Sequence, residues 1–291
     1  MVRLLGLIIL GTAGVFWLIT RPVSLPDDAL AGLTGRTDQG ERVFLAAGCG
    51  SCHMAPDATG AARLVLAGGQ RFPSDFGTFV APNISPHPEA GIGAWSDPEI
   101  ANAVLRGVSP EGAHYFPAFP YTAYQRMEMQ DMADLIAYLR TLPESDAPSA
   151  PHEVGFPFSV RRLVGGWKWL FAAPDWVLQD PADAEIARGR YLVEALAHCG
   201  ECHTPRGPLG ELARDAWLTG APVPGKDRGR VPGIDPASLD WSEGDIVEYL
   251  TSGFTPEFDT AGGHMVEVIA NFAQLPESDR RAVAAYLKAL P

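Results

Sequence analysis

Cysteine is scarce in this 291-residue chain, and the four present leave no thiol to spare. All four lie in two strings of one pattern, Cys49-Gly-Ser-Cys52-His53 and Cys199-Gly-Glu-Cys202-His203. With both strings used as units, nothing remains for a disulfide framework, a thiol nucleophile or an iron–sulfur cluster. Positive charge is also in short supply. There are 22 Lys and Arg against 35 Asp and Glu, a net charge of −13 and a pI near 4.9. No basic stripe of any length interrupts that surplus, which excludes nucleic-acid binding. No Gly-x-Gly-x-x-Gly follows a strand pattern, and no nucleotide or molybdopterin-type site is visible. Oxidation of an organic substrate would therefore belong to another chain.

What is present is chemically specific. Cys-x-x-Cys-His is the attachment pattern of a c-type haem, because two thiols three residues apart reach the two vinyl groups of one porphyrin and the next imidazole faces the iron. A zinc site would need a second Cys or His pair nearby. Two such strings predict two covalent haems, held through Cys49, Cys52, Cys199 and Cys202, with His53 and His203 as proximal ligands.

The strings sit inside a long internal repeat. Trp95-Ser-Asp-Pro-Glu-Ile100 returns as Trp241-Ser-Glu-Gly-Asp-Ile246, and Asp131 to Leu139 returns as Asp279 to Leu287. Gly40-Glu-Arg-Val-Phe44 returns as Gly189-Arg-Tyr-Leu-Val193, so the offsets run from 146 to 150 residues. Apolar stripes at Leu135, Ile136, Tyr138 and Leu139, and at Val283, Tyr286 and Leu287, have a helical period. Ser96 and Ser242, each ahead of an acidic first turn, predict N-caps, and Gly107 and Gly253 predict the matching stops. Residues 57–93 and 204–236 show no sustained period and read as loops around a large prosthetic group. The expectation is an all-α chain with an anchor over 1–22, haem domains over 35–145 and 182–291, and a connector over 146–181.

The strings Pro82-Asn83-Ile84-Ser85-Pro86, Gly91-Ile-Gly-Ala-Trp95-Ser96-Asp97, Tyr115-Phe-Pro-Ala-Phe-Pro-Tyr121, His198-Cys-Gly-Glu-Cys-His-Thr-Pro-Arg206 and Gly263-His-Met265 carry a resemblance over almost the whole chain. In them the chain resembles the membrane-anchored dihaem cytochromes c related to the cytochrome subunits of periplasmic sugar, alcohol and aldehyde dehydrogenases. That resemblance implies two tandem class I cytochrome c-like domains, a dehydrogenase partner, and quinone, an oxidase or a soluble cytochrome as acceptor. Many members carry three haems; this chain has two.

The sixth iron ligand separates a carrier from an enzyme. Met265 is the one methionine of the second half, and it matches the family's ligand position. In the first half the resembling subunits often have Met where Phe119 stands, and Met54 is too close to His53 to reach the other face. Met127, in the Tyr-x-x-Met ending, is then the leading candidate. His114 and an open or water-bound iron are the alternatives, and Met129 and Met132 read as packing residues. Asn83 suits a donor to the Met sulfur or a propionate, and Arg206 suits a propionate partner.

Leu4 to Thr20 is nearly all apolar and reaches about 25 Å as a helix, marginal for a bilayer. Arg21-Pro22 stops it, and no small-x-small cleavage site follows, so a retained single helix is expected over a signal peptide. Haem attachment on the oxidising side places the body in the bacterial periplasm. Within the connector, Phe158 to Phe171 is basic and aromatic and free of acid from 154 to 174. It reads either as a membrane-surface or partner-docking patch, or as Trp wedges between the domains with Arg residues on propionates. The function expected is electron transfer from a dehydrogenase. A dihaem peroxidase with one open iron, and a soluble shuttle released by cleavage, are the competing classes.

Overall fold

The computed structural model describes residues 2–225 and 229–291. Helix α1 (Val2–Ile19) leads away from the body, and Leu4, Leu7, Leu10, Trp17 and Leu18 along it are exposed. Its 18 residues rise about 27 Å, against roughly 30 Å of bilayer hydrocarbon. Among the described residues no helix is long and apolar enough to cross a membrane.

The first half contains α2 (Thr37–Ala46), α3 (Cys49–His53), α4 (Asp97–Arg106), α5 (Tyr121–Tyr124) and α6 (Met129–Leu139). Between α3 and α4 lies a hairpin, β1 (Arg71–Ser74) and β2 (Gly77–Val80), to which the connector adds β3 (Glu153–Val154). The connector also folds α7 (Arg161–Phe171). The second half contains α8 (Ala184–Arg190), running on as a π-helical turn over Tyr191–Leu196, then α9 (Gly200–His203), the two-residue strands β4 (Ala221–Pro222) and β5 (Arg230–Val231), α10 (Glu243–Ser252), α11 (Met265–Phe272) and α12 (Glu277–Ala289).

The repeat survives as three-dimensional symmetry. Helix α2 crosses α6, and α8 crosses α12, each through a glycine pressed on the partner backbone. A Cβ on Gly40 would overlap the Asp134 carbonyl oxygen, and one on Gly189 would overlap that of Ala282. Arg36 pairs with Asp134 at 2.7 Å, and Arg188 with Asp279 at 2.9 Å, at the same two crossings. The expected caps are in place: Ser96 with Glu99, and Ser242 with Asp245, form capping boxes. Gly107 and Gly253 end those helices at φ 57° and 81°. Each cap is worth about 1 kcal/mol.

Three elements depart from the sequence expectation. The hairpin falls inside a stretch read as loop, because four-residue strands are too short to show a period and their ladder is completed by residues more than seventy positions later. The connector over 146–181, for which the sequence reading names no element, carries the 11-residue α7. Met265 opens a helix of its own, α11, that the repeat signals of the sequence do not mark, ahead of the last helix α12.

Candidate haem sites

Each Cys-x-x-Cys-His string closes one short helical turn, α3 in the first half and α9 in the second. The histidine that ends each turn is gripped twice. His53 Nδ1 lies 2.9 Å from the Pro82 carbonyl, and His203 Nδ1 lies 2.8 Å from that of Pro232. Their own carbonyls accept from Gly68 and Gly220 N–H, both at 2.7 Å. Burial holds both imidazoles below the usual histidine range, partly offset by those prolyl carbonyls. A neutral ring that donates from Nδ1 keeps its Nε2 lone pair for a metal. Proline follows histidine by 29 residues in both halves. That spacing, Pro82-x-Ile84 against Pro232-x-Ile234, is a signal in the sequence that motif reading alone overlooks.

The thiols fit the same group. Burial pushes Cys49 and Cys199 up to about 12 and Cys52 up to about 11, with Cys202 also raised. Cys52 and Cys202 nevertheless keep accessible surface. The exposed second thiol of each pair is open to the attachment of a porphyrin edge. After burial, the nearby Cys202 is the second cause that raises Cys52.

Side chains across the interface reinforce that proximity. Tyr124, anchored within the first half by Oη donating to the Ala47 carbonyl at 2.7 Å, meets His198 of the second half edge-on at 5.6 Å. Asn271 Nδ2 donates to Ser51 Oγ at 3.0 Å, and Arg63 pairs with Glu267. Ala47 and His198 lie two residues and one residue ahead of their first cysteines, and Ser51 lies between its pair. The halves are joined at the attachment turns themselves.

Comparison with known proteins settles the family. A cytochrome c family model matches residues 37–143. A dihaem c-type cytochrome of Cereibacter sphaeroides is 55% identical over 99% of this chain and 96% of its own length. This chain belongs to the dihaem cytochrome c family. The cytochrome carries two covalently bound haem c groups. It is also 36% identical over 87% of its length to the cytochrome subunit of fructose dehydrogenase of Gluconobacter japonicus. The cytochrome c subunit of a quinone-linked alcohol dehydrogenase of Gluconobacter oxydans is 34% identical over 87% of this chain. The cytochrome spans about half the length of these two relatives, 52% and 54%.

The remaining expected site residues are distributed as follows. Met127 is buried in the core of the first half, at the turn leading into α6, with its N–H 2.8 Å from the Tyr124 carbonyl. Met265 is partly buried at the start of α11. Met132 is fully buried as a packing residue, and Met129 opens α6. His114 faces the root of α1, with Nε2 2.9 Å from the Thr20 carbonyl.

Asn83 has both amide hydrogens committed, to the Ser145 and Ala147 carbonyls at 2.8 and 2.9 Å, and its Oδ1 accepts from Ser85 N–H. It ties the Pro82 loop to the connector rather than presenting a free donor. Arg206 is tied to Glu201, inside the second attachment turn, and to the Gly210 carbonyl. Of the connector's aromatic residues, Trp167 reaches across to the Leu209 carbonyl at 2.9 Å, while Trp169 stays exposed. Arg161 donates to the His114 carbonyl, and Arg162 donates to Thr20 and stacks on Trp17 at 3.9 Å.

Proposed function

We propose that the cytochrome is an electron-transfer subunit that receives electrons from a dehydrogenase and passes them to a respiratory acceptor, with substrate oxidation on the dehydrogenase chain. The single observation that carries this reading is the paired His–Pro clamp on two attachment turns that meet at one interface. When bound, each haem supplies a one-electron iron couple. The chain's own residues hold that couple in place: Cys49 and Cys52, and Cys199 and Cys202, as thioether attachments, with His53 and His203 as proximal ligands. Met127 and Met265 are proposed to fill the sixth positions. The haem domains correspond to residues 35–145 and 182–291, with 146–181 joining them. Two filled irons leave none for peroxide, which disfavours the peroxidase reading.

Membrane attachment through α1, with the body in the periplasm, belongs to the same reading. Its support is the row of exposed apolar side chains on α1 and the aromatic α7 beside its root. Two of the named relatives are cytochrome subunits of a fructose and an alcohol dehydrogenase, which is why a dehydrogenase is the proposed donor. The test is to purify the holoprotein from its native membrane under mild detergent, identify what copurifies, and add candidate substrates anaerobically. Substrate-dependent reduction of both haems by a copurifying dehydrogenase supports the reading. Peroxide turnover by the cytochrome alone refutes it.

A further inference from the structure

The two halves end α4 and α10 with the same small hairpin, and its surroundings differ in a telling way. In the first half Val108 pairs with His114, and in the second Phe254 pairs with Thr260. The turns repeat bond for bond. Ser109 N–H meets the Ala113 carbonyl at 2.8 Å and Thr255 N–H meets that of Asp259 at 2.9 Å, while Gly112 and Phe258 donate to Ser109 and Thr255, both at 2.9 Å. The tip in the first half is Gly112 at φ 76°; the tip in the second is Phe258 at φ 64°. A left-handed backbone costs a glycine nothing but is unfavourable for a bulky residue. Phe258 holds it while its side chain is 89% exposed. Burial within the chain gives nothing back for that strain.

The first hairpin is covered by α7. Lys168 Nζ donates to the Arg106 and Gly107 carbonyls at 2.6 and 2.8 Å, and Arg161 donates to the His114 carbonyl at 3.1 Å and stacks on Phe116 at 3.9 Å. The cover is thus a cationic, aromatic segment. Over the second hairpin, among the described residues, no such segment lies. Residues 256–260 are all exposed, and Phe254 and Val266 add apolar surface beside the tip. Charge indicates what would fit. From 231 to 279 the chain has ten carboxylates and no lysine or arginine. Glu267, Glu277 and Asp279 pair with arginines from outside that stretch, and among the described residues the carboxylates around the hairpin do not. Glu257 and Asp259 flank the tip, and Glu243 and Glu248 are exposed on the adjoining α10.

We propose that this hairpin, with Phe258 as its apolar anchor inside a rim of carboxylates, is the docking surface of the second haem domain for a partner protein that presents lysine or arginine around an apolar socket. The inference rests on the electron-carrier reading and specifies which face meets the partner. One electron crosses per encounter, from ferrous haem to the oxidised centre of the partner, with no bond made or broken. Carboxylates set the encounter rate and orientation, and the aromatic tip supplies the desolvated contact.

The test uses the holoprotein and, as probe, a lysine-rich monohaem cytochrome c, with an acidic monohaem cytochrome as control. Calorimetry at low salt should show binding to the basic probe only, weakened by added salt. F258G should weaken it about tenfold, F258L should restore most of the loss, and E257Q/D259N should weaken it and flatten the salt dependence. Because F258G copies Gly112, its thermal midpoint should not fall, so a loss of affinity cannot be ascribed to misfolding. Equal affinity for the two probes, or F258G binding like wild type, overturns the proposal. So does a loss of self-association in F258G, which would assign the face to a second copy of the chain. If ferricyanide oxidises wild type and variants alike while binding ignores Phe258, the docking surface alone is refuted. If wild type passes electrons to no oxidant, the carrier reading and the docking proposal fall together.

Discussion

Tyr286 and Tyr138 occupy the same place in the repeat, yet their hydroxyls have different surroundings, so their phenylalanine variants form an internally controlled experiment. Tyr286 is fully buried. Its hydroxyl donates to Glu194 at 2.8 Å and accepts from Trp217 Nε1 at 3.0 Å. Glu194, itself buried, also accepts from Val177 and Leu178 N–H, so the network ties α12 to the end of the connector. Tyr286→Phe removes one bond to a carboxylate, worth about 1.5–3 kcal/mol, and one indole bond, worth about 1 kcal/mol. No water can replace either at a fully buried site. The expected loss is about 2–4 kcal/mol, or roughly 3–7 °C in midpoint for a chain of this size. Tyr138 packs its ring on Phe44 at 5.2 Å, and among the described residues its hydroxyl has no protein partner. Tyr138→Phe should therefore stay within about 0.5 kcal/mol of wild type. Thermal unfolding of the two holoproteins, followed by far-ultraviolet circular dichroism, decides the matter. Equal midpoints would refute the claim that the buried network, and not the shared sequence position, carries the energy.

Replacing Met265 by alanine should lower the potential of one haem and open its iron to carbon monoxide, and Met127→Ala should do so at the other haem; redox titration and carbon monoxide difference spectra read both. An unchanged spectrum in Met127→Ala would remove that residue as ligand. Burial lowers Lys168 to about 7, so between pH 7 and about 10.5 the unfolded chain holds a proton that the folded chain has released. Stability should rise with pH across that window, and Lys168→Met should flatten the rise in denaturant titrations. High-salt washing should leave the cytochrome on membranes, whereas deletion of residues 1–22 should release it; release of the full chain by salt alone would contradict attachment through α1.

The features legible in the sequence depend on neighbours a few residues apart. A Cys-x-x-Cys-His turn, a serine with a carboxylate three positions on, and a glycine at a helix stop are each read within one helical turn. All of these appear in the structure where they are expected. The duplication was equally legible, because it preserves those local signals at a nearly constant offset. What only the tertiary structure decided involves partners far apart along the chain. Asn83 faces carbonyls 62 and 64 residues away, and Arg206 turns to a glutamate inside the attachment turn. His53 and His203 take prolyl carbonyls 29 residues on. The basic helix α7 covers one hairpin and leaves its twin bare. Residue type says what a side chain can donate or accept; which distant carbonyl or carboxylate it meets is set by how the helices pack, and that packing separates two halves of like sequence into a covered site and an open one.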